Sequence, residues 1–268
     1  MLNYLRIKCI RPIFINGTFF LTSFFLVAGN TACTQQLLPA HFKHPEFPKL
    51  RDQEAVVLHT GYSLVYSEKH EQAVWVAYIL TKKETLGTAQ RGDKFIEDPL
   101  IKSGSACNAD YSKSGYDRGH LAPAADMKWS KRAMEESFYY SNMSPQAPSF
   151  NRGIWKKLEE QVRNWALIYD SIMVVTGPIL EKGLASIGIN EVSVPKYYFK
   201  AIVDFRKEKS NSIAFILPNA GSKQPLKNYM LSIDELEKKT GLDFFYQFED
   251  HFETALEAQK CSSCWGLK

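Results

Sequence analysis

The chain has 268 residues, 45% apolar and 23% charged, the proportions of a soluble globular protein, which excludes disorder, a collagen-like repeat and a many-span membrane protein. That length accommodates one large domain or two small ones, with a core that can stand without crosslinks. Formal net charge is +4, but beyond residue 32 the balance is 30 bases against 29 acids; no global positive field remains, and a polyanion site must be a local patch.

At the N-terminus Arg6, Lys8 and Arg11 precede a 16-residue apolar stretch, residues 13–28, interrupted by Asn16, Gly17, Thr18, Thr22 and Ser23. A spanning helix needs about 20 mainly apolar residues. The stretch therefore reads as an export signal over residues 1–32, with an uncleaved anchor as the alternative. Cleavage after Gly29 competes with cleavage before Cys33. The second would leave a lipid on Cys33, because Asn30-Thr31-Ala32-Cys33 resembles a bacterial lipobox, with Asn30 out of pattern. The expected location is periplasmic, secreted or lipid-anchored at a bacterial outer surface, touching membrane only through that lipid. The Phe-rich run and sparse arginines fit Sec export better than a mitochondrial transit peptide.

Residues 33–53 carry Pro39, Pro45 and Pro48 without a clear period and read as a linker. One domain is expected over 54–268. β-Branched and aromatic residues predict paired strands at 55–66 and 73–81. Residues 82–116 read as loop and 128–140 as a short helix. Over 149–169, Phe150, Ile154, Leu158, Val162, Trp165 and Tyr169 form one apolar face, so the spacing predicts a helix with Ser149 as its N-cap. Strands follow at 172–176, 198–205 and 212–217. Ser232 and Glu235 form a capping box opening a second helix, which Gly241 stops. Residues 234–260 hold eight acids against three bases, so that end should not face a phosphate backbone. Among the cysteines, Cys261-Ser-Ser-Cys264 reads first as a structural disulfide, and otherwise as a redox pair or half a zinc site.

The chemistry concentrates between residues 91 and 159. In Tyr116-Asp117-Arg118-Gly119-His120, a histidine can take a proton from water near neutral pH. The adjacent Arg118 can hold a phosphate oxygen, and Gly119 permits a close backbone approach. Asn151 and Glu159 lie eight residues apart on the helix, which returns them to one side. Amide and carboxylate oxygens suit Mg²⁺. Taken singly, each has a plainer use: His120 as a structural residue, Asn151 as a cap, Glu159 as a solvated charge. Lys128, Lys131, Arg132, Arg152, Lys156 and Lys157 form either a phosphate-tracking groove or a solvated face. Trp129, Tyr139, Tyr140 and Trp155 are candidates for stacking on bases, Trp155 alternatively for the core.

The stretches DRGHLAPAADMKWS and YYSNMSPQAPSFNRGIWKKLE resemble the DNA/RNA non-specific endonuclease family, the ββα-metal finger enzymes that include secreted bacterial nucleases and endonuclease G. Upstream, Arg91, Phe95 and Asp98 match the family's Arg-x-x-x-Phe-x-x-Asp segment. The likeness covers roughly residues 53–248. It implies an α+β fold, a mainly antiparallel central sheet flanked by helices, with a ββα-metal finger site. It implies His120 as general base, Asn151 as direct ligand of one Mg²⁺ (or Mn²⁺ or another divalent ion), and Glu159 as holder of metal-bound water. Arg118 and Arg91 would sit near the scissile phosphate, with Asp117, Asn142 and Gln146 in support. The implied activity is hydrolysis of DNA and RNA to 5′-phosphate ends. Some relatives dimerise, and an inhibitor protein would be a further partner. Three other activities remain open: a non-cleaving nucleic-acid-binding protein of the same fold, a thiol protein using Cys261 and Cys264, and a phosphodiesterase for small or lipid substrates.

Overall fold

The computed structural model describes residues 43–205 and 210–267. The leader, Cys33 and the lipobox-like residues lie outside the described residues. Two short strands, β1 (Val56–Leu58) and β2 (Ser63–Ser67), pair as an antiparallel hairpin. The sequence pattern predicts one strand here. Instead the chain bends between them, where Tyr62 Oη donates to Glu136 O (2.7 Å) and Thr60 N–H to Glu136 Oε2 (2.6 Å). A tertiary contact overrides local β propensity.

β3 (Gln72–Thr81) pairs with β2. Two one-turn helices, α1 (Lys82–Thr85) and α2 (Asn108–Tyr111), punctuate the expected loop. β4 (Asp117–His120) and β5 (Met143–Gln146) pair antiparallel on either side of α3 (Lys131–Glu136). A widened helical segment, Phe150–Trp155, runs into α4 (Lys156–Tyr169). After it come β6 (Ser171–Pro178), a small hairpin of β7 (Ser186–Ile187) and β8 (Val192–Ser193), then β9 (Tyr197–Asp204) and β10 (Asn211–Pro218). The chain closes with β11 (Met230–Leu231), α5 (Ile233–Thr240) and α6 (Asp250–Glu257).

The main sheet has seven strands in the order β1-β2-β3-β6-β9-β10-β11, every pair antiparallel. The fold is α+β, as the motifs imply. Strand alternation sorts the core to two faces. On β9, Tyr198 and Ile202 pack with Leu158, Val162 and Trp165 of α4, while Phe199 turns the other way onto Phe244, ring centroids 5.7 Å apart. The capping box forms as expected, with Ser232 Oγ accepting from Glu235 N and Gly241 ending α5 at φ 65°. Cys261 and Cys264 are joined by a disulfide. Beside it Trp265 is buried, donating through Nε1 to Ser212 O (3.1 Å).

Two expectations about boundaries change. Residues 43–53 pack on the domain and are not a linker. Phe47 lies 5.6 Å from the Trp75 ring, and Lys49 N–H donates to Asp243 O (2.8 Å). A segment without periodicity hides such contacts. Ser149 is not an N-cap, because it already has helical dihedrals and its side chain makes no cap bond. Ala147 O accepts the first helical N–H bonds, from Phe150 and Asn151, and Ser149 Oγ accepts from Gly221 N–H (3.1 Å).

Candidate active site

The β4–β5 pair is fastened to the main sheet by buried polar contacts. Tyr198 Oη donates to Pro145 O (2.9 Å), and Ser144 Oγ donates to Gln72 Oε1 (2.5 Å). Asn219 Nδ2 donates to Pro145 O (3.0 Å) while its Oδ1 accepts from Ala147 N–H (2.8 Å), which fixes the turn into the next helix. Gly119 is obligatory on β4. A Cβ there would stand 2.1 Å from Cδ of Gln146, which pairs with Asp117 across the two strands. Gln146 is fully buried, and its amide has no hydrogen-bond partner among the described residues.

These elements wall a cleft of about 400 Å³ lined by Arg91, Phe95, Arg118, His120, Asn151, Arg152, Lys156, Glu159 and Arg163, with residues 123–125. The sequence-derived residues His120, Arg118, Arg91, Asn151 and Glu159 therefore converge on one space. Asp117 stands beside it. Asn142 lies behind it, fully buried. Its Oδ1 accepts from Ala122 N–H (2.8 Å) and its Nδ2 donates to Ala122 O (2.9 Å) and Ser137 O (2.8 Å), so it clamps the backbone that follows His120.

His120 sits between aromatic rings. Phe138 meets it edge-on at 5.0 Å and Phe95 at 5.9 Å. Its Nε2 is shut off from solvent and has no hydrogen-bond partner among the described residues. Burial first, then the nearby Arg91 charge, lowers its pKa to about 3. The imidazole is neutral across the physiological range and can accept a proton.

The arginines are held by aromatic faces and one amide. Arg118 stacks over Phe95 at 4.5 Å and donates to Asn108 Oδ1 (2.6 Å), and Arg91 lies over Phe138 at 5.2 Å. Asp98 anchors the segment that carries Arg91 and Phe95. It accepts from buried His59 Nε2 (2.9 Å) and Ser141 Oγ (2.5 Å).

Asn151 occupies the widened segment Phe150–Trp155, of π-helical pitch, broken at Gly153. Such irregular turns recur at functional sites. Its Nδ2 donates to Asp117 Oδ2 (3.0 Å), and Oδ1 makes no hydrogen bond among the described residues. Arg152 also grips Asp117, Nε at 2.8 Å and Nη2 at 2.6 Å. Burial opposes the charge on Asp117, but these donors outweigh it and hold its pKa below the usual carboxylate range. The free amide oxygen and the Glu159 carboxylate share the cleft. Both are hard oxygen donors, so the set fits a divalent ion that keeps most of its waters.

The sequence did not single out three residues here. Arg163 donates from Nη1 to buried Asp126 (2.8 Å), which also accepts from Tyr78 Oη (2.7 Å). Its position four residues after Glu159 placed it on the same helix face, so a signal existed. Lys200, fully buried on β9, donates to Thr176 Oγ1 and lies 5.0 Å over the Trp155 ring. Burial raises the Glu159 pKa to about 7 against the pull of Lys200, and burial lowers Lys200 to about 8. His59 is the third, behind Asp98.

Other expectations shrink. Of the six groove bases, only Arg152 and Lys156 line the cleft; Lys131 and Arg132 pair with Glu135 and Glu136 on their own helix. Tyr140 and Trp155 are buried and cannot stack on bases.

A family model described as DNA/RNA non-specific endonuclease matches residues 42–251. The mitochondrial nuclease EXOG of Danio rerio is 36% identical over 204 residues, 70% of this chain and 60% of that protein. Human mitochondrial endonuclease G is 33% identical over 220 residues, 76% and 72% of the two chains. Nuclease C1 of Cunninghamella echinulata is 36% identical, covering 69% of this chain and 80% of that one. A crystal structure of an EndoG/EndoGI complex superposes with TM-score 0.69 and 31% identity, over 76% of this chain and 89% of that one. The chain spans about six-tenths of the length of the Danio and Xenopus EXOG relatives. These relatives overturn the expected export to a bacterial surface. EXOG, endonuclease G and nuclease 1 of Schizosaccharomyces pombe are mitochondrial proteins, not proteins of a bacterial surface. A basic, apolar leader serves more than one targeting route, so its composition did not fix the destination.

Proposed function

The chain belongs to the DNA/RNA non-specific endonuclease family, and from that membership we propose that it is a metal-dependent endonuclease hydrolysing phosphodiester bonds in both DNA and RNA to leave 5′-phosphate ends. One observation carries the proposal. A histidine kept neutral by burial lines the same cleft as an amide oxygen left free by its neighbour's hydrogen bond.

His120 takes a proton from the attacking water, which lines up with phosphorus opposite the leaving 3′ oxygen. Its aromatic cage holds the ring in one orientation and keeps it unprotonated until that moment. Arg118, steadied by Phe95 and Asn108, and Arg91, steadied by Phe138, meet the non-bridging oxygens as charge builds on them. Asn151 Oδ1 would hold a Mg²⁺-type ion, and Mn²⁺ suits the same oxygen donors. When bound, that ion supplies positive charge to the phosphate and stabilises the leaving oxygen. Glu159 orders water at the same place, and Arg163 and Lys200 balance its charge. Asp117 orients Asn151, and Asn142 and Gln146 shape the wall behind His120. Contacts directed at phosphate leave the sugar unread, which accounts for cleavage of both polymers.

Digestion of plasmid DNA and total RNA by the purified chain, with Mg²⁺ and with EDTA, tests the proposal. Loss of both polymers in Mg²⁺ and of neither in EDTA is the expected result. Retention of uncut nucleic acid by a folded protein in Mg²⁺ would favour a binding protein instead.

A further inference from the structure

The clearest unexplained group lies between α5 and α6, on elements that do not line the cleft. Asp234 and Glu237 are one turn apart on α5, and Glu257 ends α6. Carboxylate oxygens of the three lie within 4.8 Å of one another. Asp234 and Glu237 are half-buried, and Glu257 is only 7% exposed. Its Oε1 is sealed from solvent without a hydrogen-bond partner among the described residues. Glu237 Oε1 accepts from Phe244 N–H (2.7 Å), the one donor to the three carboxylates among the described residues.

The surrounding charge is of the same sign. The charged groups acting on Glu257 are Glu237, Glu253, Asp234 and Asp243. Among the described residues, Lys49 pairs with Asp243 and Lys260 with Glu235. A buried, unpaired carboxylate facing two others is unfavourable unless something positive joins it.

We propose that Asp234, Glu237 and Glu257 bind a calcium ion that joins α5 to α6. Three carboxylates are a hard oxygen donor set, and thiol or imidazole ligands are absent from it. Carboxylate oxygens this close together can share one ion. Ca²⁺ suits them because it takes about six to eight oxygen ligands in flexible geometry, whereas Mg²⁺ demands a near-ideal octahedron and keeps most of its waters. Three negative charges more than balance two positive ones, and water fills the remaining coordination. The role is structural. It ties the last helix to the sheet through α5, independent of the chemistry in the cleft.

Calorimetric titration of Ca²⁺ into full-length Asn151→Ala protein tests this, since that variant removes the ligand proposed for the cleft. One Ca²⁺ should bind per chain, and saturation at about one hundred times Kd should raise Tm by about 5–10 °C. Asp234→Asn and Glu257→Gln should each weaken Ca²⁺ binding by roughly tenfold or more. In the otherwise native chain they should leave Mg²⁺-dependent cleavage within about twofold, as distant sites do. Absence of Ca²⁺ binding, or binding undiminished by both substitutions, overturns the site. So does a Glu257→Gln protein that melts higher in EDTA and gains nothing from Ca²⁺; a proton shared among the carboxylates would then occupy the cluster.

Discussion

Asn151 donates its Nδ2 proton to Asp117 Oδ2 across 3.0 Å. The bond reaches from the helix to the strand that carries His120. It decides which end of the amide is free. Because ionised Asp117 has no proton to donate and can only accept, the amide oxygen is turned away from it. Asp117→Ala should therefore cost activity roughly 10–100-fold through loss of ligand orientation. The Mg²⁺ concentration for half-maximal rate should rise in parallel. A Mg²⁺ titration of the initial rate checks both.

His120 gives a pH signature with a defined sign. Its pKa falls from 6.5 to about 3 on folding, so the unfolded chain binds the proton more readily. The neutral histidine's contribution is fully present above pH 6.5 and is lost as pH falls from there toward 3. Between pH 6.5 and 5 the wild type should lose about 1–2 kcal/mol of stability that His120→Ala does not lose. Paired urea melts at the two pH values measure the difference.

Lys200 faces the site from beneath. Replacing it with methionine leaves Glu159 buried without that cation, so Lys200→Met should destabilise the fold by about 3 kcal/mol. Glu159 should then take up its proton more readily, and the acid side of the rate profile should move to higher pH. Adding Glu159→Gln should recover most of the stability and none of the activity. Thermal melts and pH–rate profiles of the single and double variants separate the two effects.

Gly119 tests the packing behind the histidine. The missing Cβ is the space that the Gln146 side chain fills. Gly119→Ala should cost about 1–3 kcal/mol through overpacking. It should also lower the turnover number more than it changes substrate binding, because His120 is the next residue. Denaturation and steady-state kinetics read the two consequences.

The candidate site was legible because its residues sit in contiguous motifs. Asp117, Arg118, Gly119 and His120 share one four-residue strand. The 149–169 periodicity placed Asn151 and Glu159 on one side of a helix, even though the first six residues adopt a wider pitch. The capping box at Ser232 and Glu235 and the strands near 172, 198 and 212 were readable for the same local reasons. What escaped depends on distant parts of the chain. The bend between β1 and β2 is made by Glu136, more than seventy residues on. His59 acquires meaning only through Asp98. Lys200 shows itself only through the alternation along its strand. Tyr198 and Ile202 point into the core, and the lysine between them must do the same.

The most direct test of the proposed chemistry is single-turnover cleavage of an end-labelled duplex by His120→Ala in saturating Mg²⁺, with binding of the same duplex measured in EDTA. Cleavage should fall by about 10²–10⁴-fold, the usual range for a general base, while the dissociation constant stays within about threefold of the wild type, since the neutral ring makes no ground-state contact with phosphate. A His120→Ala protein that cleaves within about tenfold of the wild-type rate would contradict the assignment of His120 as the base.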